Sequence, residues 1–287
     1  MPALGIESSV AGVGLLGVED GLRNSKSSTP NEEWYVKITI MKKLFYSLIL
    51  IFSLLISTGA RAADEIDSDS DGLTDVQEIN IYKTDPQNAD TDGDGYKDGQ
   101  EVANGYSPKH GDRKKLTEVD SDKDYLPDAW EIALDTDLTN PDSDGDKFLD
   151  GTEVRAGYDP LNPEKIKLEK LITVDLKKQR LAYYFGSKKL ENFLISSGVK
   201  GWETPQGEFA IIKKYPVKHY TGIGFDFPNT KWNLHFTTKK FNFYIHGTYW
   251  HNDFGKPKSH GCVNVSYQNM EHLYDWTQVG TKVIITD

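Results

Sequence analysis

Leu171-Ile172-Thr173-Val174-Asp175 and Leu181-Ala182-Tyr183-Tyr184-Phe185 are two short runs rich in β-branched and aromatic residues, set apart by a Lys-containing turn. Phe193 to Ser196 forms a third run after another Gly and Lys cluster. Runs of this length bounded by turn residues read as strands. Further along, Phe241 to Ile245 reads as extended, Asn269 to Trp276 as helical and Lys282 to Thr286 as a terminal strand. Residues 164–287 are therefore expected to form a mainly β domain, large enough to bury its own core.

Upstream the composition changes. Residues 64–163 carry 28 Asp and Glu against 9 Lys and Arg, whereas residues 164–287 carry 11 against 18. A block this acidic is either solvated disorder or a cation-binding array, and residue spacing separates the two. Four copies of one pattern emerge, with acids at relative positions 1, 3, 5, 9 and 12: Asp67, Asp69, Asp71, Asp75 and Glu78; Asp90, Asp92, Asp94, Asp98 and Glu101; Asp120, Asp122, Asp124, Asp128 and Glu131; Asp142, Asp144, Asp146, Asp150 and Glu153. Calcium takes six to eight oxygen ligands, and a 12-residue loop with carboxylates at 1, 3 and 5 and a bidentate Glu at 12 wraps it. Gly72 and Gly95 occupy the sharp turn at position 6 of the first two copies, and Tyr125 and Lys147 replace it in the others. A left-handed turn costs a non-glycine residue of order 1 kcal/mol, so the last two loops are expected to bind more weakly or to differ in shape. Positions 7 (Leu73, Tyr96, Leu126, Phe148) and 13 (Ile79, Val102, Ile132, Val154) are apolar throughout and predict a thin shared core. Residues 63–163 resemble the bacterial thrombospondin type 3 calcium-binding repeats, a loop-rich module with calcium as structural cofactor.

Met41-Lys42-Lys43, the apolar stretch Leu44 to Ile56 and Ala60-Arg61-Ala62 have the layout of a secretory signal peptide over 41–62. The apolar run is short of the roughly 20 residues that span a bilayer. Residues 1–40 then read as an upstream extension or mis-start. The expected location is outside the cytoplasm, in the periplasm or cell envelope, with no transmembrane segment after cleavage. No basic run interleaved with aromatics points to nucleic acid. Cys262 is the single cysteine, so in an oxidising compartment it is inert and buried, bridged to another molecule, or reactive.

Its surroundings favour reactivity. Cysteine acyl transfer needs a thiolate, a base, an orienting group for the base and donors for the oxyanion. Ile245-His246-Gly247-Thr248 and Ser259-His260-Gly261-Cys262-Val263-Asn264 contain candidates for all four. His246 is the base, titrating near neutral pH, and a backbone carbonyl such as that of Gly247 can fix its tautomer. Gly261 permits a tight turn that brings its own N–H and that of Cys262 toward a developing oxyanion. His260 and Ser259 are candidates for holding the nucleophile loop. A zinc cluster of His246, His251, His260 and Cys262 is the alternative reading.

Five separated pieces carry a closer likeness: Thr204-Pro205-x-Gly207-x-Phe209, Trp232, Ile245-His246-Gly247, Ser259 to Asn264, and Gly280-Thr281-Lys282-Val283-Ile284-Ile285. On these, residues 164–287 resemble the L,D-transpeptidase catalytic domain, also called YkuD. The resemblance implies a β-sandwich with a short helix, Cys262 as nucleophile, no cofactor for catalysis, and peptidoglycan stem peptides as partners. It implies attack on the L,D peptide bond before the terminal D-alanine of a tetrapeptide stem, then transfer to an amine in cross-linking or to the lysine of an envelope lipoprotein. Water as acceptor would make a carboxypeptidase, and loss of turnover a calcium-dependent envelope-binding protein. Asn264, where many members carry Arg, is the candidate substrate-binding residue.

Overall fold

Strand alternation fixes which side of each sheet is buried. In β1 (Lys170–Asp175) Ile172 and Val174 point inward while Leu171 and Thr173 do not, and β9 (Lys282–Thr286) repeats this with Val283 and Ile285. The computed structural model describes residues 66–222, 224–237 and 242–287; the segments 1–40 and 41–62 discussed above lie outside them, as does Phe241. Among the described residues no helix is long and apolar enough to cross a membrane.

Two sheets result. The first has the order β3-β2-β1-β9-β4, where β2 is Arg180–Phe185, β3 Lys188–Leu194 and β4 Gly207–Ala210. The second has the order β5-β6-β7-β8, formed by Lys213–Gly222, Phe225–Thr237, Phe243–Thr248 and Val263–Ser266. One continuous cluster joins Ile172, Leu181 and Val283 of the first sheet to Leu234, Ile245 and Val263 of the second, each fully buried aliphatic side chain contributing about 1.5–3 kcal/mol. The last helix, α5 (Tyr267–Trp276), is capped by Ser266 and buries Met270, Leu273 and Trp276 against the same cluster. The domain is mainly β, as its sequence indicates.

The acidic half is loop-rich, with short helices at the loop ends: α1 (Asp75–Gln77, running into a π-helical turn Glu78–Tyr82), α2 (Asp98–Ala103), α3 (Asp128–Leu134) and α4 (Asp150–Ala156). The loops pack in pairs. Gly99 N–H donates to Asp71 Oδ2 at 2.8 Å, and Gly151 N–H to Asp124 Oδ2 at 2.8 Å. A Cβ at Gly99 would stand 2.6 Å from the Asp71 carbonyl oxygen, and one at Gly151 2.5 Å from that of Asp124, so only glycine lets each even-numbered loop seat on its odd-numbered neighbour. The expected shared apolar core is only partly realised. Leu73, Leu126 and Val154 are buried, but Ile79, Tyr96 and Phe148 are exposed, because backbone and carboxylate contacts join the loops in place of some of the apolar ones.

The second pair of loops is built into the β domain. Leu126, Trp130, Leu134 and Val154 belong to the same hydrophobic cluster as the sandwich. Trp130 packs edge-on against Tyr183 at 5.7 Å and donates its Nε1–H to Glu191 at 2.9 Å, an acceptor it shares with the Tyr183 hydroxyl. Lys170 Nζ, buried in β1, donates to the carbonyls of Arg155 at the end of α4 and Trp276 at the end of α5. A buried amine at two helix C-termini donates to carbonyls that lack intrahelical partners.

Candidate functional site

The parallel pairing of β7 with β8 sets Ile245 against Val263 and His246 against Asn264. Side chains alternate across a strand, so Tyr244, His246, Cys262 and Asn264 share one face of the sheet. All four line a cleft of about 550 Å³. Ile245 and Val263, on the opposite face, are fully buried in the core.

His246 is 3 % exposed, and its Nδ1–H donates to the Gly247 carbonyl at 2.9 Å, which leaves Nε2 as the free ring nitrogen. Its ring stacks on Tyr220 at 4.8 Å, with Trp250 at 5.7 Å. Burial pushes the imidazole down to about 4 and the Cys262 thiol up to about 11, since a dry site penalises both charged forms. Burial therefore favours the neutral form of each. This corrects the expectation of an imidazole titrating near neutrality.

Glycine is required at 261, where φ is +107° and a Cβ would meet the Phe243 ring at 2.3 Å. Ser259 ties the Cys262 loop together: its Oγ donates to the Cys262 carbonyl and accepts from the Gly261 N–H at 3.1 Å. That second bond is a correction, because it engages the Gly261 N–H expected to face the oxyanion. Thr204 adds a brace by donating Oγ1–H to the Gly261 carbonyl at 2.9 Å. His260 is exposed at the cleft rim, stacked on Phe225 and edge-on to Trp202.

The acidic loops share one geometry. In each, the carboxylates at positions 1, 3 and 5 lie within 4.8 Å of one another: Asp67, Asp69 and Asp71; Asp90, Asp92 and Asp94; Asp120, Asp122 and Asp124; Asp142, Asp144 and Asp146. Among the described residues no such group includes His246, His251, His260 or Cys262, so the fold does not gather them as the zinc reading expects. Position 6 is left-handed in all four loops, Tyr125 and Lys147 at φ +78° beside Gly72 at +107° and Gly95 at +98°, so the last two loops keep the same turn and do not differ in shape. Buried oxygens without partners recur at the same places: Oδ2 of Asp69, Asp92, Asp122 and Asp144, Oε2 of Glu78, and both carboxylate oxygens of Glu101, Glu131 and Glu153. Burial raises Glu78, Glu101 and Glu153 to about 7 and Glu131 to about 9. An all-oxygen donor set of crowded, unpartnered carboxylates fits a hard cation such as calcium.

Position 9 does not fit as a ligand. Asp75, Asp98, Asp128 and Asp150 each use both oxygens to accept the N–H and the hydroxyl of position 2, which is Ser68, Thr91, Ser121 and Ser143 in turn. They lock the loop from behind. A Ser or Thr at position 2 of each loop was visible in the sequence and marks this role.

Comparison with known proteins accords with these two halves. Residues 169–285 match the family model of the L,D-transpeptidase catalytic domain, YkuD. The bacterial TSP3 repeat matches at 67–89, 90–105 and 142–163; the loop Asp120–Glu131 lies outside those stretches yet has the same backbone and carboxylate arrangement. YqjB of Bacillus subtilis (strain 168), which carries the name "Putative L,D-transpeptidase", is 28% identical over 132 residues, 40% of this chain and 70% of its own length. An L,D-transpeptidase structure from Mycobacterium smegmatis aligns at 24% identity and a TM-score of 0.39, over 42% of this chain and 60% of that one. The catalytic domain of the E. faecium enzyme aligns at 25% identity and 0.36, over 41% and 97%.

Several residues lining the YkuD cleft escaped the sequence reading. Tyr220, Phe225 and His219 come from the β5–β6 hairpin, where His219 pairs with Asp226. Lys218 brings a positive charge to the cleft and lies over the rings of Tyr215, Tyr220 and Tyr244. Thr204 stood within a quoted motif and so had a signal; the hairpin residues had none.

Proposed function

We propose that the YkuD domain is a peptidoglycan L,D-transpeptidase with Cys262 as nucleophile, carried on an exported chain whose four acidic loops hold calcium. The observation that carries the reading is His246 with Nδ1 tied to the Gly247 carbonyl, on the same sheet face and in the same cleft as Cys262. Nε2 takes the thiol proton as sulfur attacks the carbonyl carbon of the L,D bond, and returns it to the departing D-alanine amine. The Cys262 N–H is the loop's remaining donor for the oxyanion. Lys218 and Lys258 in the cleft suit the carboxylates of a stem peptide. An amine then resolves the thioester.

Incubation with a tetrapeptide stem tests this. Wild type is expected to release D-alanine and show a thioester by mass spectrometry, and Cys262→Ala to do neither. Added amine should divert the acyl group into a cross-linked product; hydrolysis alone in its presence points to a carboxypeptidase. No release of D-alanine and no thioester leaves the calcium-dependent binding protein.

A further inference from the structure

His251 lies on the loop between β7 and β8 and has no part in the chemistry above. Two hydrogen bonds hold it. The Asp253 N–H donates to its Nδ1 at 3.2 Å, and its Nε2 stands 3.0 Å from the Asn264 side-chain atom assigned as Nδ2, an assignment that leaves two donors and no acceptor around a neutral ring. Asp253 is itself fixed, by Lys258 at 2.7 Å and by the Ser196 hydroxyl donating to its carbonyl at 3.1 Å. Burial holds the His251 ring below its usual range, so it is neutral at pH 7.

A neutral imidazole has one acceptor nitrogen and one N–H. A backbone N–H can only donate, so Nδ1 is the acceptor and Nε2 carries the proton. That proton needs an acceptor, and of the two ends of a carboxamide only the oxygen qualifies. The oxygen of Asn264 therefore faces His251. The other end of the carboxamide, assigned as Oδ1, is buried without a partner at the wall of the cleft, on a residue 2 % exposed; the proton count exchanges the two ends and makes it the NH2 group.

We propose that His251 is a positioning residue: it turns the Asn264 carboxamide so that its NH2 is offered to the cleft, beside Cys262, as a donor to a carbonyl or carboxylate oxygen of the acyl-donor peptide. The opposite orientation would present an acceptor there and favour an N–H of the ligand. The inference rests on Cys262 being the nucleophile, and its test separates the two.

Long-range proton–nitrogen correlation spectra of the full-length protein report the tautomer, with the His251 signals assigned by their loss in His251→Gln. An Nε2–H tautomer at pH 7 is expected; an Nδ1–H tautomer or an imidazolium overturns the proposal. In the tetrapeptide assay, His251→Ala should raise KM about three- to tenfold, the size expected for one hydrogen bond, with a smaller change in kcat. His251→Gln, whose NH2 still donates to the Asn264 oxygen, should restore KM. Equal kinetics in wild type and His251→Ala, or the same loss in both variants, contradicts it. The spectrum needs no turnover: the wrong tautomer in an active enzyme sinks this inference alone, while the right tautomer in a chain that never acylates sinks only the role of Cys262.

Discussion

Replacing His246 by Ala is expected to slow acylation of Cys262 by about 10²- to 10⁴-fold, the range a positioned general base supplies. The loss should be this large because burial holds the thiol near 11, so little thiolate exists at neutral pH without a base. The pH profile carries the same physics. With His246 pushed down to about 4, the base stays unprotonated down to that value, and the acid limb of kcat/KM should fall well below the 6.5 of an ordinary imidazole. A plateau from about pH 5 upward is the expected result, followed by intact-protein mass spectrometry of the acylation time course. A preformed thiolate–imidazolium pair would give a bell centred between two nearer values, and would contradict a neutral resting pair.

Calcium removal should have the largest effect on stability. A ligand at a hundredfold excess over its Kd contributes about 2.7 kcal/mol per site, and each kcal/mol moves the midpoint of a domain of this size by about 2–4 °C. Two sites in the loops that share the sandwich core then amount to a fall of order 10–20 °C in chelator. Glu131→Gln should reproduce part of it, because α3 carries both Glu131 and the core residues Trp130 and Leu134. Glu78→Gln, in a loop whose helix buries no hydrophobic residue, should leave the midpoint of the sandwich nearly unchanged. The pH dependence has a definite sign. In chelator, Glu78, Glu101, Glu131 and Glu153 have folded values above the unfolded carboxylate value, so the folded chain binds more protons and its stability is lost as pH rises from about 5 through 7 to 9. Calcium, by holding the ionised forms, should remove that loss. Differential scanning calorimetry with and without chelator, across this pH range, measures both effects; an unchanged midpoint would show that the loops stand without the ion.

Sequence reading went furthest where side-chain type and spacing are themselves the mechanism. Acids at 1, 3, 5 and 12, and the His246 and Cys262 segments, stood out because cation ligation and acyl transfer would need those groups in those places, and the fold gathers the carboxylates at 1, 3 and 5 and sets His246 and Cys262 in one cleft. The strands β1, β2 and β9 were legible as short β-branched and aromatic runs, with turn residues setting β1 and β2 apart. The β5–β6 hairpin was not: β5 is a basic run exposed along most of its length, with Pro216 inside it. Proline is tolerated there because β5 lies at the edge of its sheet, a fact that only the assembled sheet reveals. Tyr220 and Phe225 were hidden with it. Similarly, the position-9 carboxylates resembled ligands because spacing alone does not say which partner an Asp oxygen meets; the hydroxyls of Ser68, Thr91, Ser121 and Ser143 reach them first. The neutral state of the His246–Cys262 pair follows from depth of burial, which no motif encodes.

The account depends on one covalent event, and a carbapenem can report it. Wild-type protein mixed with a carbapenem at neutral pH is expected to gain the mass of one ring-opened molecule, located by peptide mapping on Cys262 and missing in Cys262→Ala. An adduct that persists in Cys262→Ala, or a wild-type protein that forms none while properly folded with calcium, would contradict it.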